Sequence, residues 1–122
     1  MIQHVILGSN RLAAAAEFFD RLLSEFSAQR VMENERMVYW MSRDGGPGLA
    51  ICTPFDGAEA TVGNGVTVAL RAASREQVDR LYHLAIELGG RCEGEPGPRG
   101  EHAYGAYFRD LDGNKFNLMC IV

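Results

Sequence analysis

The chain has few of the residues that staple or mark a small domain. It holds three cysteines, four prolines and one tryptophan in 122 residues. Cys52, Cys92 and Cys120 cannot all pair within one chain, and no CxxC spacing occurs. That excludes a disulfide framework and a zinc ribbon, and the expectation is reduced thiols in a cytoplasmic protein. No apolar run approaches the length that spans a bilayer, so no membrane role is expected. The opening Met1-Ile2-Gln3-His4-Val5 has neither a basic region nor a cleavage site, so a secretory leader is not expected. Lys and Arg number 12 against 16 Asp and Glu, for a net charge of −4, and they are scattered along the sequence. That pattern excludes a nucleic-acid backbone binder. What is present is 47% hydrophobic residues, enough for one domain of this length to build a core.

The chain reads as a single domain, 1–122, made of two copies of one half. Residues 54–64, Pro-Phe-Asp-Gly-Ala-Glu-Ala-Thr-Val-Gly-Asn, have linker composition and separate module 1 (1–53) from module 2 (65–122). Each module opens with a short apolar run, 2–8 and 66–72. A helix follows each: Leu12, Ala15, Ala16, Phe19, Leu22, Leu23 and Phe26 recur at helical spacing, as do Val78, Leu81, Leu84, Ala85 and Leu88. Asn10 or Ser9 is expected to cap the first helix, Ser74 with Gln77 the second, and Gly89-Gly90 to stop it. Three strand-like runs then follow in each half, near 28–32, 36–42 and 49–53, and near 91–93, 103–109 and 115–121. Each module is β-α-β-β-β.

The most specific segment is the last, Tyr104-Gly-Ala-Tyr-Phe-Arg-Asp-Leu-Asp-Gly-Asn-Lys-Phe-Asn-Leu-Met119. Asp110 can bond the backbone of its turn, and Gly113 can take a positive φ. Turn chemistry accounts for Asp110, Asp112 and Asn114, and the spacing lacks the Gly and bidentate Glu of an EF-hand. This hairpin resembles the closing hairpin of the vicinal oxygen chelate superfamily, the glyoxalase, bleomycin-resistance and extradiol-dioxygenase group. The resemblance implies an α+β fold in which two β-α-β-β-β modules form a cupped mixed sheet with the helices outside, commonly as a homodimer. It also implies metal ligands at the positions of His4, Thr67 and Asn117, where metal-dependent members carry His, His or a similar ligand, and Glu.

Strand alternation bears on the same residues. Val66, Val68 and Leu70 are the set expected under the second helix, leaving Thr67, Ala69 and Arg71 on the other face. Phe116, Leu118 and Cys120 should pack inward, and Lys115, Asn117, Met119 and Ile121 face away. Val5 and Leu7 suit the first helix, leaving Ile2, His4 and Ile6 opposite. Of Tyr39 and Trp40, one faces the cavity and one the core, and alternation does not say which. Residues 93–103, rich in Gly and Pro, read either as a solvated connection or as a flap that puts Arg99, Glu101, His102 and the adjacent Tyr104 within reach of a ligand, His102 and Tyr104 foremost.

The expected ligand-binding set is therefore His4, Thr67, Arg71, Asn117, Tyr104 and His102. His4 is the candidate catalytic base, since an imidazole exchanges protons near neutral pH. One His with a Thr and an Asn is a poor donor set for a divalent transition metal, so no cofactor is expected. If Zn, Ni, Mn or Fe were bound, His4 would hold it with Asn117, Thr67 or Cys52. The expected function is binding of a small organic molecule. The alternatives are a metal-dependent lactoylglutathione lyase-like lyase or isomerase, a dioxygenase, and an antibiotic-sequestering protein.

Overall fold

A computed structural model describes residues 1–122 as two compact units, Met1–Val62 and Gly63–Val122. The first contains β1 (His4–Gly8), α1 (Leu12–Ser24), β2 (Ala28–Glu33), β3 (Met37–Ser42) and β4 (Gly48–Cys52). The second contains β5 (Val68–Arg71), α2 (Arg75–Glu87), β6 (Arg91–Pro98), β7 (Ala103–Arg109) and β8 (Lys115–Ile121). The strand orders are β1-β4-β3-β2 and β5-β8-β7-β6, so both halves have one topology. In each, the first strand runs parallel to the last, and the other pairs are antiparallel. The repeated β-α-β-β-β pattern is thus the architecture. No helix is long and apolar enough to cross a membrane.

In the first unit α1 buries Ala15, Ala16, Phe19, Leu22 and Leu23. Trp40 is buried beneath it, 5.9 Å from the Phe19 ring, and its indole N–H donates to Asp20 Oδ1 at 2.9 Å. Asp20 in turn takes a bidentate pair of bonds from Arg30, at 2.9 and 2.7 Å, closing the edge of the core with a charged clamp. Trp40 is therefore the core member of the Tyr39–Trp40 pair. The helix start differs from expectation. Arg11 occupies the N-cap position without a side-chain cap. Ser9 Oγ accepts the Arg11 N–H instead, and the Asn10 amide pairs with the backbone of Ala60 in both directions.

In the second unit Val78, Leu81 and Ala85 of α2 cover Ala106, Phe108, Phe116 and Leu118, all fully buried. Phe108 and Phe116 stand opposite each other in register and stack at 5.3 Å. Ser74 Oγ accepts the Gln77 N–H, and the Gln77 side chain accepts from Ala73 N–H. The helix ends at Gly89, whose φ of +108° only glycine adopts readily. The Asp110 carboxylate accepts from Asp112 N, Asn114 N and Asn114 Nδ2, and Gly113 takes φ +89°. The closing hairpin is built as its turn residues require.

Two expectations fail here. Val66 precedes β5 and is 54% exposed, so the inward set of that strand is Val68 and Leu70 alone. The strand expected near 91–93 continues to Pro98, so residues 94–98 belong to β6 rather than to a flap. β6 is an edge strand with two register shifts, between Cys92 and Gly94 and between Gly94 and Gly97. Prolines that would break a central strand are tolerated there, because an edge has no second ladder to satisfy.

Candidate functional site

A sheet covered by one helix leaves its other face open, and strand register places each side chain on that face. In the first sheet His4 heads β1 and is exposed, with its ring 5.3 Å from that of Tyr39 on β3. Tyr39 lies flat over Gly48. A Cβ at residue 48 would stand 2.2 Å from Tyr39 Cε1 and 2.7 Å from its hydroxyl oxygen, so glycine is what admits the ring. The Tyr39 hydroxyl is buried without a hydrogen-bond partner. Ile6, Ala50 and the buried Cys52 continue the face, making it an apolar surface with one imidazole. A cleft of about 340 Å³ opens at its rim, lined by Ile6, Gly8, Cys52, Pro54, Glu59 and Ala60 among others.

The open face of the second sheet is polar and cationic. Its middle row, read across the register, is Ala69, Asn117, Tyr107 and Gly94. Asn117 is only 4% exposed. Its Nδ2 donates to the backbone carbonyls of Ala106 at 3.1 Å and Leu118 at 3.4 Å. Two acceptors at one end fix which way the amide points. The amide oxygen accepts no bond from the chain and is the group left for a ligand. Gly105 keeps the neighbouring space clear: a Cβ there would meet Leu118 O at 2.6 Å and Asn117 Nδ2 at 3.4 Å. Arg71 stands opposite Met119 on the same face, exposed and without an ion partner. Thr67 is exposed and precedes β5.

Tyr104 does not join this face. It shares the side of Ala106 and Phe108, and its hydroxyl donates to Asp79 Oδ1 on α2 at 2.7 Å. That bond raises the Tyr104 pKa, chiefly because the phenol proton is held by the Asp79 carboxylate. The tyrosine on the open face is Tyr107, which strand alternation from Phe108 would have given. His102 lies in the bend before β7 with its side chain 85% exposed, near Glu101 and outside the sheet face. Arg99, which the flap reading also brought within reach of a ligand, does lie on this face. Its guanidinium folds back over Gly94 and Gly97 and donates to the carbonyls of Glu95, Gly97 and Pro98. The shifts in register along β6 remove the period that would have placed it.

Within neither module do three His, Cys, Asp or Glu side chains gather as metal ligands. In the first, His4 has Tyr39 rather than a carboxylate beside it. In the second, Asn117 turns its nitrogen end into the sheet and offers one neutral oxygen. These donors do not fit a divalent transition metal, which takes three or four His, Cys or carboxylate ligands.

No curated protein matches the chain significantly. Among solved structures it is similar to a glyoxalase/bleomycin resistance protein from Albidiferax ferrireducens T118, at 36% identity and TM-score 0.90, with 98% of each chain covered. It also shares its fold with a glyoxalase/bleomycin resistance protein/dioxygenase family enzyme from Burkholderia phytofirmans PsJN (17% identity, TM-score 0.81, 98% of each chain). A lactoylglutathione lyase from Agrobacterium tumefaciens has the fold too (19% identity, TM-score 0.73, 98% of this chain and 92% of that one). The family model for the Glyoxalase/Bleomycin resistance protein/Dioxygenase superfamily matches residues 1–118, and with the duplicated β-α-β-β-β modules this shows that the chain belongs to that superfamily.

Proposed function

We propose that the protein binds a small organic molecule on the open sheet surface of its second module and does so without a divalent metal. The observation that carries this is the state of Asn117. It stands where the family resemblance calls for a ligating Glu, yet its amide nitrogen is tied to two backbone carbonyls and only its oxygen is presented. An amide oxygen held this way is a fixed hydrogen-bond acceptor for a ligand N–H or O–H, and a weak, neutral metal ligand. Arg71 and Thr67 supply a charge and a hydroxyl from β5 and the residue before it, and Tyr107 supplies a flat wall. His4, on the open face of the first sheet, is that module's candidate proton-exchanging group. The reading extends to a cytoplasmic homodimer, and light scattering on the purified protein gives the mass that decides the dimer.

Calorimetric titration with Zn²⁺, Ni²⁺, Mn²⁺ and Fe²⁺ tests the metal-free claim. Weak binding, unchanged in His4→Ala, is the expected outcome. Stoichiometric tight binding lost in His4→Ala, or metal-dependent turnover of a methylglyoxal–thiol adduct, would replace this reading with a metal-dependent lyase.

A further inference from the structure

Basic residues that are scattered in sequence share one face of the second sheet. Arg71, Lys115, Arg109 and Arg91 all project from the open face of the second sheet by register, and Arg99 folds onto it over Gly94 and Gly97. That is five of the chain's 12 Lys and Arg on one face of a protein whose net charge is −4. One acid answers them: Glu93 takes an ion pair from Arg109 at 2.7 Å. Arg91 and Arg109 stand directly opposite each other, and like charges at such a pair oppose sheet formation. Glu93 offsets part of this repulsion, its carboxyl held below the usual range by Arg109 first and then by Lys115 and Arg91.

The cations are also arranged around a shallow place. Tyr107 has the Lys115 ammonium 5.1 Å and the Arg99 guanidinium 5.8 Å from its ring centre, so the ring positions both charges. Between Tyr107 and β5 the middle row is low, because Ala69 is small and Asn117 is sunk into the sheet. Arg71 borders that dip from the β5 edge and has no partner in the chain.

From this placement we infer that the ligand of the second module is an anion, a small organic carboxylate or phosphate ester, with its charged group between Arg71 and Lys115 and its polar body against Asn117 and Tyr107. This rests on the reading that the open face of the second sheet is the binding surface, and it adds the chemical class of the ligand. Oxyanions take charge-assisted hydrogen bonds from both guanidinium and ammonium groups, which is what Arg71 and Lys115 have free to give. Arg99, already committed to three carbonyls, acts as a positioning residue for Tyr107.

The test is an amide chemical-shift titration of chelator-treated protein with phenylphosphonate, benzoate and the neutral isostere benzamide. The two anions should bind saturably, shifting Ala69, Arg71, Tyr107, Asn117 and Met119, and should weaken at least tenfold in the Arg71→Gln/Lys115→Gln variant. Both residues are surface-accessible, and the fold of the variant is checked by its unfolding midpoint. Should the variant not fold, the salt dependence of the wild type decides, since anion binding must weaken as ionic strength rises. Benzamide binding as tightly as benzoate would overturn the inference and leave the binding surface standing. No shift with any of the three would overturn it as well. Anion binding that appears only after adding a divalent metal would keep the ligand class and overturn the metal-free reading.

Discussion

Replacing Asn117 by Asp changes one nitrogen to oxygen at the place where the site is most constrained. The side chain is 4% exposed, and its Nδ2 donates to Ala106 O and Leu118 O. In Asn117→Asp both bonds are lost and an oxygen faces two carbonyl oxygens. Two neutral hydrogen bonds are worth about 1 kcal/mol each, and an uncompensated buried polar group costs about 1–3 kcal/mol more. The expected loss is about 3–5 kcal/mol at pH 8, when the Asp is ionised. A protonated Asp can donate one O–H to Ala106 O and so recovers part of the loss. The folded-state pKa is therefore raised above the unfolded value near 4. The destabilisation is smallest below the unfolded pKa, grows as pH rises through it to the folded pKa, and is constant above. Urea unfolding of wild type and variant at several pH values between 4 and 8 measures this. A variant as stable as wild type at pH 8, or a deficit that does not change with pH, would refute the buried-donor account of Asn117.

Three further outcomes follow from the packing. Gly105→Ala brings a Cβ within 2.6 Å of the Leu118 carbonyl, a backbone atom that cannot turn aside. A loss of about 1–3 kcal/mol is expected in thermal unfolding, and an unchanged midpoint would mean that β7 and β8 are not held this closely. Tyr39→Phe removes a buried hydroxyl that has no partner, so stability should hold or rise by up to about 1 kcal/mol in urea. A clear loss would reveal a partner for that oxygen. The Asp20 pKa is lowered, first by the hydrogen bonds from Arg30 and also by Trp40. Its stabilising contribution is thus present above the unfolded pKa and disappears as pH falls through the folded one. Because the Asp20 side chain is 43% exposed, solvent screens the pair, and Asp20→Asn should cost no more than about 1 kcal/mol at pH 7 and progressively less as pH falls through the folded pKa. A cost that does not change with pH would assign the effect to packing.

The fold was legible where a single residue type has few alternatives. Gly113 in the closing turn and Gly89 past α2 take positive φ, and the alternation Phe116, Leu118, Cys120 has one inward solution. The same alternation put Asn117 and Arg71 on an open face. It misled where a segment's class was misjudged. Residues 94–98 have loop composition, but an edge strand with two register shifts accepts Gly and Pro, and taking 93–103 for a flap drew Tyr104 and His102 into the site. Tyr104 had a readable signal, since it keeps step with the inward Ala106 and Phe108. The convergence of Arg99 and Lys115 on Tyr107 had none, because Arg99 comes from beyond the shifts and reaches the ring by folding back across two glycines. Its clamp is a product of the third dimension alone.

The central claim is that the second sheet binds its ligand directly, through Asn117 and the cations around it. The most direct measurement is the phenylphosphonate titration followed at Ala69, Tyr107 and Asn117, run on chelator-treated protein and repeated with one equivalent of Zn²⁺. The account predicts the same shifts and the same affinity in both. Shifts that are absent after chelation and restored by the metal would contradict it.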